Sequence, residues 1–208
     1  MNEKVTEGRM RRAMDWAYEA SLNGLPGLPS VYELADSYRK NGGSKIQQAN
    51  SLIRWQNSKA GTSGFLSGIG GLITAPVALP ANITSVIYIQ TRMIAAIALI
   101  GGHDLKDDRI QTLVYVCLTG NSAKDILKST GVVIGNKVAM NAIKKIPGRV
   151  LIDINKKVGF RLVTKFGTKG AVNIGRMIPL AGGLIGGTFD LATTNIIGNV
   201  ARNTFIAS

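Results

Sequence analysis

Between Lys59 and Arg92 the chain carries no charged side chain, and Pro76 and Pro80 divide what would otherwise be one long apolar helix. The glycine-rich half before the prolines, about residues 64 to 75, spans about 18 Å as a helix, short of a hydrocarbon core of about 30 Å. It does not cross a bilayer alone. The half after them, 81 to 101, is long enough but holds Asn82, Gln90 and Arg92. A charge near its middle costs at least about 3 kcal/mol on insertion scales unless it is paired or reaches the surface. The pattern predicts a re-entrant or shallow helical hairpin, or a hairpin buried in a soluble core, over a simple span.

A second segment of the same character, MIPLAGGLIGGTFDLATTNIIGNVARNTFIA, follows near the C-terminus. Gly182 and Gly186, like Gly183 and Gly187, lie four apart, which leaves one helical face bare for a partner helix. Each such glycine costs about 1 kcal/mol against alanine, so close packing is the expected return. GGLI occurs at 70–73 and again at 182–185. Gly70, Gly71, Pro76, Pro80, Pro179, Gly182, Gly183, Gly186 and Gly187 are accordingly expected to shape two glycine-rich hairpins packed together.

Charge is concentrated between these segments. The 208 residues carry 25 Lys plus Arg against 12 Asp plus Glu, a net +13. Residues 120–176 hold twelve of the bases and only Asp125 and Asp153 as acids, so ten of the thirteen surplus charges fall there. Lys144, Lys145, Arg149, Lys156, Lys157, Arg161, Lys165 and Lys169 are the candidate lipid- or anion-binding residues. An anionic partner follows, either nucleic acid or membrane headgroups. Single-strand binders need aromatic platforms, and this stretch offers only Phe160 and Phe166, placed on or near the apolar side of the wheel. No helix-turn-helix spacing supports duplex binding. Lipid accounts for both the charge and the hydropathy.

The remainder reads as helical. MRRAMDWAYEASLNG is an amphipathic helix ended by Gly24, with a turn at Pro26 and Pro29. Ser30 and Glu33 form a capping pattern for a helix through Tyr38, stopped by Asn41, Gly42 and Gly43. A helix runs from Ser44 to about Lys59. Asp104 is expected to cap Leu105–Leu118, and Lys124–Ile146 to be helical until Pro147. From Arg149 to Phe166 the bases fall on one side and Leu151, Ile154, Val158, Leu162 and Phe166 on the other. No period-2 alternation appears, so the expected fold is all-α, a single compact multi-helix domain. Residues 1–45 form an N-terminal helical extension and 46–208 the main helical domain.

Chemistry-bearing residues are few. One cysteine and one histidine exclude a disulfide framework and the common Cys/His zinc clusters. His103, Asp104, Asp107 and Asp108 could hold a divalent cation, but acids at a helix start are more simply caps and first-turn residues. Cys117 lies in the apolar run LVYVCL, where a thiol is inert. The glycine clusters lack the Gly-Lys-Ser/Thr ending of a nucleotide loop. The polar start MNEKVTEGRMRR carries no apolar core with a cleavage site, so no secretory signal is expected.

GGLITAPVALP at 70–80, then Gln90, Arg92, the helix at 95–98 and the Gly-Gly-His-Asp turn at 101–104, resemble the EcsC family of bacterial proteins. IPLAGGLIGGTFD with Ala201 and Phe205 resembles its second glycine-rich segment, and NKKVGFRLVTKFGTKG its basic one. The resemblance covers roughly 50–205. It implies a mostly helical bacterial protein associated with membranes, and no catalytic residue carries over. Gln90, Arg92 and Asp104 are the polar members of the matching positions and the candidate polar site.

The expectation is a non-enzymatic protein peripheral on the inner membrane, in the bacterial cytoplasm. It binds anionic lipid through the basic stretch and takes no cofactor, metal or nucleic acid. A membrane protein complex is a second partner class. A soluble carrier of an apolar ligand, a pore-forming effector and, last, a metal-dependent hydrolase are the alternatives.

Overall fold

The computed structural model describes residues 5–60, 79–132, 143–167 and 185–206. Eight α-helices lie among them, with no strands: α1 (Glu7–Asn23), α2 (Val31–Lys40), α3 (Lys45–Ala60), α4 (Ala81–Gly101), α5 (Asp108–Leu118), α6 (Ala123–Ser129), α7 (Gly148–Phe166) and α8 (Ile185–Phe205). The all-α expectation is met.

Local signals place the first helices. Thr6 caps α1 by accepting from the Arg9 amide, and Met10, Ala13, Met14, Ala17, Tyr18 and Ser21 recur at helical spacing on its buried face. Ser30 and Glu33 form the expected capping box on α2. The N-terminal residues join the common core through α1 and α2, both of which pack on α4.

The centre of the molecule is α4. Its sequence is apolar on all sides, and α1, α2, α3, α5 and α8 pack around it. From Met93 to Ile100 every side chain is buried. Among the described residues α4 contains the one stretch long and apolar enough to cross a membrane, Ile83–Gly101, and nearly all of it is buried inside the protein. Gly102 ends α4 at a φ of 96° and lets its amide reach the Ala98 and Leu99 carbonyls.

The glycine-rich halves of the two expected hairpins, with Gly70, Gly71, Pro76, Pro179, Gly182 and Gly183, lie outside the described residues. The helices that follow them, α4 and α8, pack against each other. Gly186 and Gly187 lie in the first turn of α8, and exposed Pro80 stands at the N-cap of α4. Close approach through glycine occurs elsewhere, at Gly198 on α8, where an added Cβ would sit 2.7 Å from Ile53 Cγ1 on α3.

Two boundaries differ from expectation. The cap of α5 is Asp107, which accepts from the Arg109 amide, while Asp104 closes a local turn by accepting from the Lys106 amide. The helix therefore starts at Asp108 and not at Leu105. The expected helix 124–146 breaks after Ser129, where Thr130 and Gly131 turn back onto the Leu127 and Lys128 carbonyls and Gly131 takes a φ of 75°.

Candidate lipid-binding surface

Pro147 lacks an amide hydrogen and ends the upstream segment, so α7 starts cleanly at Gly148. Arg109 on α5 donates from Nε to the Ile146 carbonyl at 3.2 Å and holds the approach to α7. The inner face of α7 buries Ile154, Val158, Gly159 and Leu162 against α5 and α1.

The outer face carries Arg149, Ile152, Asp153, Lys156, Lys157, Phe160, Arg161 and Thr164, all exposed. At about 100° per residue Phe160 lies in the middle of this arc, with Arg149 and Lys156 on one flank and Lys157 and Arg161 on the other. Phe160 is 63% exposed and Ile152 58%. The expected position of Phe160 on or near the apolar side is thus corrected: the ring projects opposite Val158 and Leu162, the residues that face α1 and α5. Phe166 is half-buried, and Lys165 Nζ stands 5.1 Å from its ring centroid.

Of the expected cations, Lys144 and Lys145 are exposed just before α7, Lys165 is half-buried, and Lys169 lies outside the described residues. Lys157 donates to the Ser129 carbonyl at 2.9 Å and to its hydroxyl at 2.8 Å. It thereby places a cation at the C-terminal end of α6, where the helix dipole favours one. Among the described residues ion pairs join Arg11 to Asp15, Arg39 to Asp36 and Arg109 to Asp107, and Arg149, Lys156 and Arg161 take part in none of them.

The candidate polar residues are not brought together. Gln90 is buried and its amide donates to the Thr194 hydroxyl on α8 at 3.5 Å. Arg92 is 5% exposed on the other side of α4 and donates from Nη2 to the Pro29 carbonyl at 2.7 Å. Burial pulls its guanidinium below the usual range, against the opposing influence of Tyr88, Glu33 and Tyr38. Asp104 is exposed.

The other chemistry-bearing residues are packed. His103 is buried, and its Nε2 donates to the Phe205 carbonyl at 2.8 Å. Among the described residues no group of three or more His, Cys, Asp or Glu could hold a metal. Cys117 is fully buried, which pushes its thiol up to about 12. A cavity of about 280 Å³ between α1, α5 and α7, of mixed polar and apolar lining, escaped sequence reasoning because its residues are far apart in the chain. Within it the Gln111 amide donates to the Tyr115 hydroxyl at 2.8 Å, and that hydroxyl donates to Asp15 at 2.9 Å.

No curated protein and no solved structure matches the chain. The model of the EcsC protein family matches residues 44–206, covering α3 to α8. The three ordered motifs and this match over most of the sequence lead to one conclusion: the chain belongs to the EcsC protein family.

Proposed function

We propose that this protein docks on anionic lipid at the inner face of a bacterial membrane, without catalysing a reaction, through the outer face of α7. The observation that carries the reading is Phe160, 63% exposed at the centre of an arc with four bases and one acid. An exposed aromatic ring ringed by cations is costly in water and suited to the headgroup boundary, where the ring enters the apolar edge and the ammonium groups meet phosphates. Each base near an anionic leaflet contributes about 1 kcal/mol, so Arg149, Lys156 and Arg161 together supply a useful but reversible attachment. Ile152 adds a second apolar contact on the same arc.

Vesicle flotation tests it. The protein is expected to float with phosphatidylglycerol-containing vesicles at low salt, to be released at high salt, and to ignore pure phosphatidylcholine. Equal flotation on both compositions, or on neither, rejects the electrostatic part. Retention by a protein partner in place of vesicles moves the same face to a protein interface.

A further inference from the structure

A cavity of about 350 Å³ lies between the last turns of α7, the helix α8 and the turn between α5 and α6. Three separate elements line it. From α7 come Arg161, Thr164 and Lys165, from the turn Asn121 and Ser122, and from α8 Ile196. The volume falls within the range of about 300–1,000 Å³ usual for small-molecule sites.

The lining has two characters. Arg161 and Lys165 lie four residues apart on α7, so they share one side of the helix, and both border the cavity. Across from them the Asn121 amide and the Ser122 hydroxyl have no hydrogen-bond partner among the described residues. Two cations and two spare donors, opposed across a cleft, suit an oxygen-rich anion: the guanidinium offers paired N–H groups and the ammonium a point charge. The α8 wall differs, being formed by Ile196, 36% exposed, and buried Ile197. An inorganic anion has no use for that wall. A phosphate with an apolar extension fills both sides.

We propose that this cavity binds the phosphate headgroup of a single phospholipid, with the phosphate between Arg161 and Ser122 and the glycerol and first acyl carbons against Ile196. The site deepens the docking reading and rests on it for the source of the lipid: Arg161 borders both the outer arc of α7 and the cavity, so a lipid under the docked face has a short path into it. A phosphomonoester, with its larger charge, is the preferred headgroup.

The test uses the full chain and dihexanoyl phosphatidic acid below its micelle concentration, titrated calorimetrically. Saturable binding is expected, at least tenfold weaker for dihexanoyl phosphatidylcholine and for glycerol 3-phosphate. Ile196→Trp, which fills the cavity from the α8 side, is expected to weaken binding at least tenfold, and Ser122→Leu to do so from the opposite side should the first variant fold poorly. Phe160→Ala is expected to leave this titration unchanged while lowering vesicle flotation. Absence of saturable binding, equal affinity for the three compounds, or folded cavity variants that bind normally overturns the proposal. Glycerol 3-phosphate binding as tightly as the lipid overturns the lipid assignment. Flotation reads the docking face and the soluble titration reads the cavity, so the two failures are distinguishable.

Discussion

Phe160 and Leu162 stand two residues apart on α7 and face opposite ways: the ring is 63% exposed and the leucine 1%. Their replacement separates stability from attachment. Leu162→Ala leaves a void in the core and is expected to cost about 2–5 kcal/mol in urea unfolding. Phe160→Ala removes an exposed ring and is expected to stay within about 0.5 kcal/mol of the parent while flotation falls severalfold. A Phe160→Ala protein that unfolds early contradicts the exposure described above.

Arg92 ties α4 to the turn between α1 and α2 through the Pro29 carbonyl, and its Nε has no partner among the described residues. Arg92→Ala leaves that carbonyl unpaired and a void behind it, with an expected loss of about 2–4 kcal/mol. Arg92→Lys keeps a donor and a cation and is expected to lose less. Urea midpoints of the two variants, with unchanged slopes, check the order.

Gly198→Ala tests helix contact against helix propensity. Alanine favours a helix by about 1 kcal/mol over glycine, yet here the new Cβ meets Ile53, which is 3% exposed and surrounded by core. Overpacking of this kind costs about 1–3 kcal/mol, so a net loss is expected. Adding Ile53→Ala to Gly198→Ala makes room, and the pair is expected to be more stable than the sum of the two single losses; simple additivity in a thermal double-mutant cycle argues against the contact.

The chain has one histidine, which makes its titration visible. Burial holds the His103 imidazole below its ordinary value of 6.5, with the Phe205 carbonyl acting in the opposite direction. The unfolded chain therefore takes up the proton first. Stability from this group is complete above pH 6.5 and is lost as the pH falls through the lower folded value. Unfolding midpoints measured between neutral and acid pH are expected to drop, and His103→Gln to flatten that drop.

Several elements were legible in the residues because their signals are local. Ser30 and Glu33 define the start of α2 by themselves, and the Ile154, Val158, Leu162 spacing defines the inner face of α7. The cap of α5 was not legible: Asp104, Asp107 and Asp108 all suit the role, and only the backbone path decides which carboxylate meets a free amide. The break after Ser129 depends on Gly131, one glycine in a stretch with helical composition. Basic side chains announce themselves by type, so the charge of the α7 face could be read in advance. The position of Phe160 is legible too, since at about 100° per residue it falls beside Arg149 and Lys156 and opposite Val158 and Leu162. The cavity beside Ile196 draws on three distant stretches and has no signature in any of them.

The enclosure of α4 by five helices has a consequence for how the protein tolerates change. An altered side chain at Ala95 or Ala96 disturbs more than one neighbour, whereas a change at Phe160 on the outer arc of α7 leaves the core untouched. In a saturation library scored for soluble expression, the lowest tolerance falls along the middle of α4, and the exposed positions around Phe160 stay permissive.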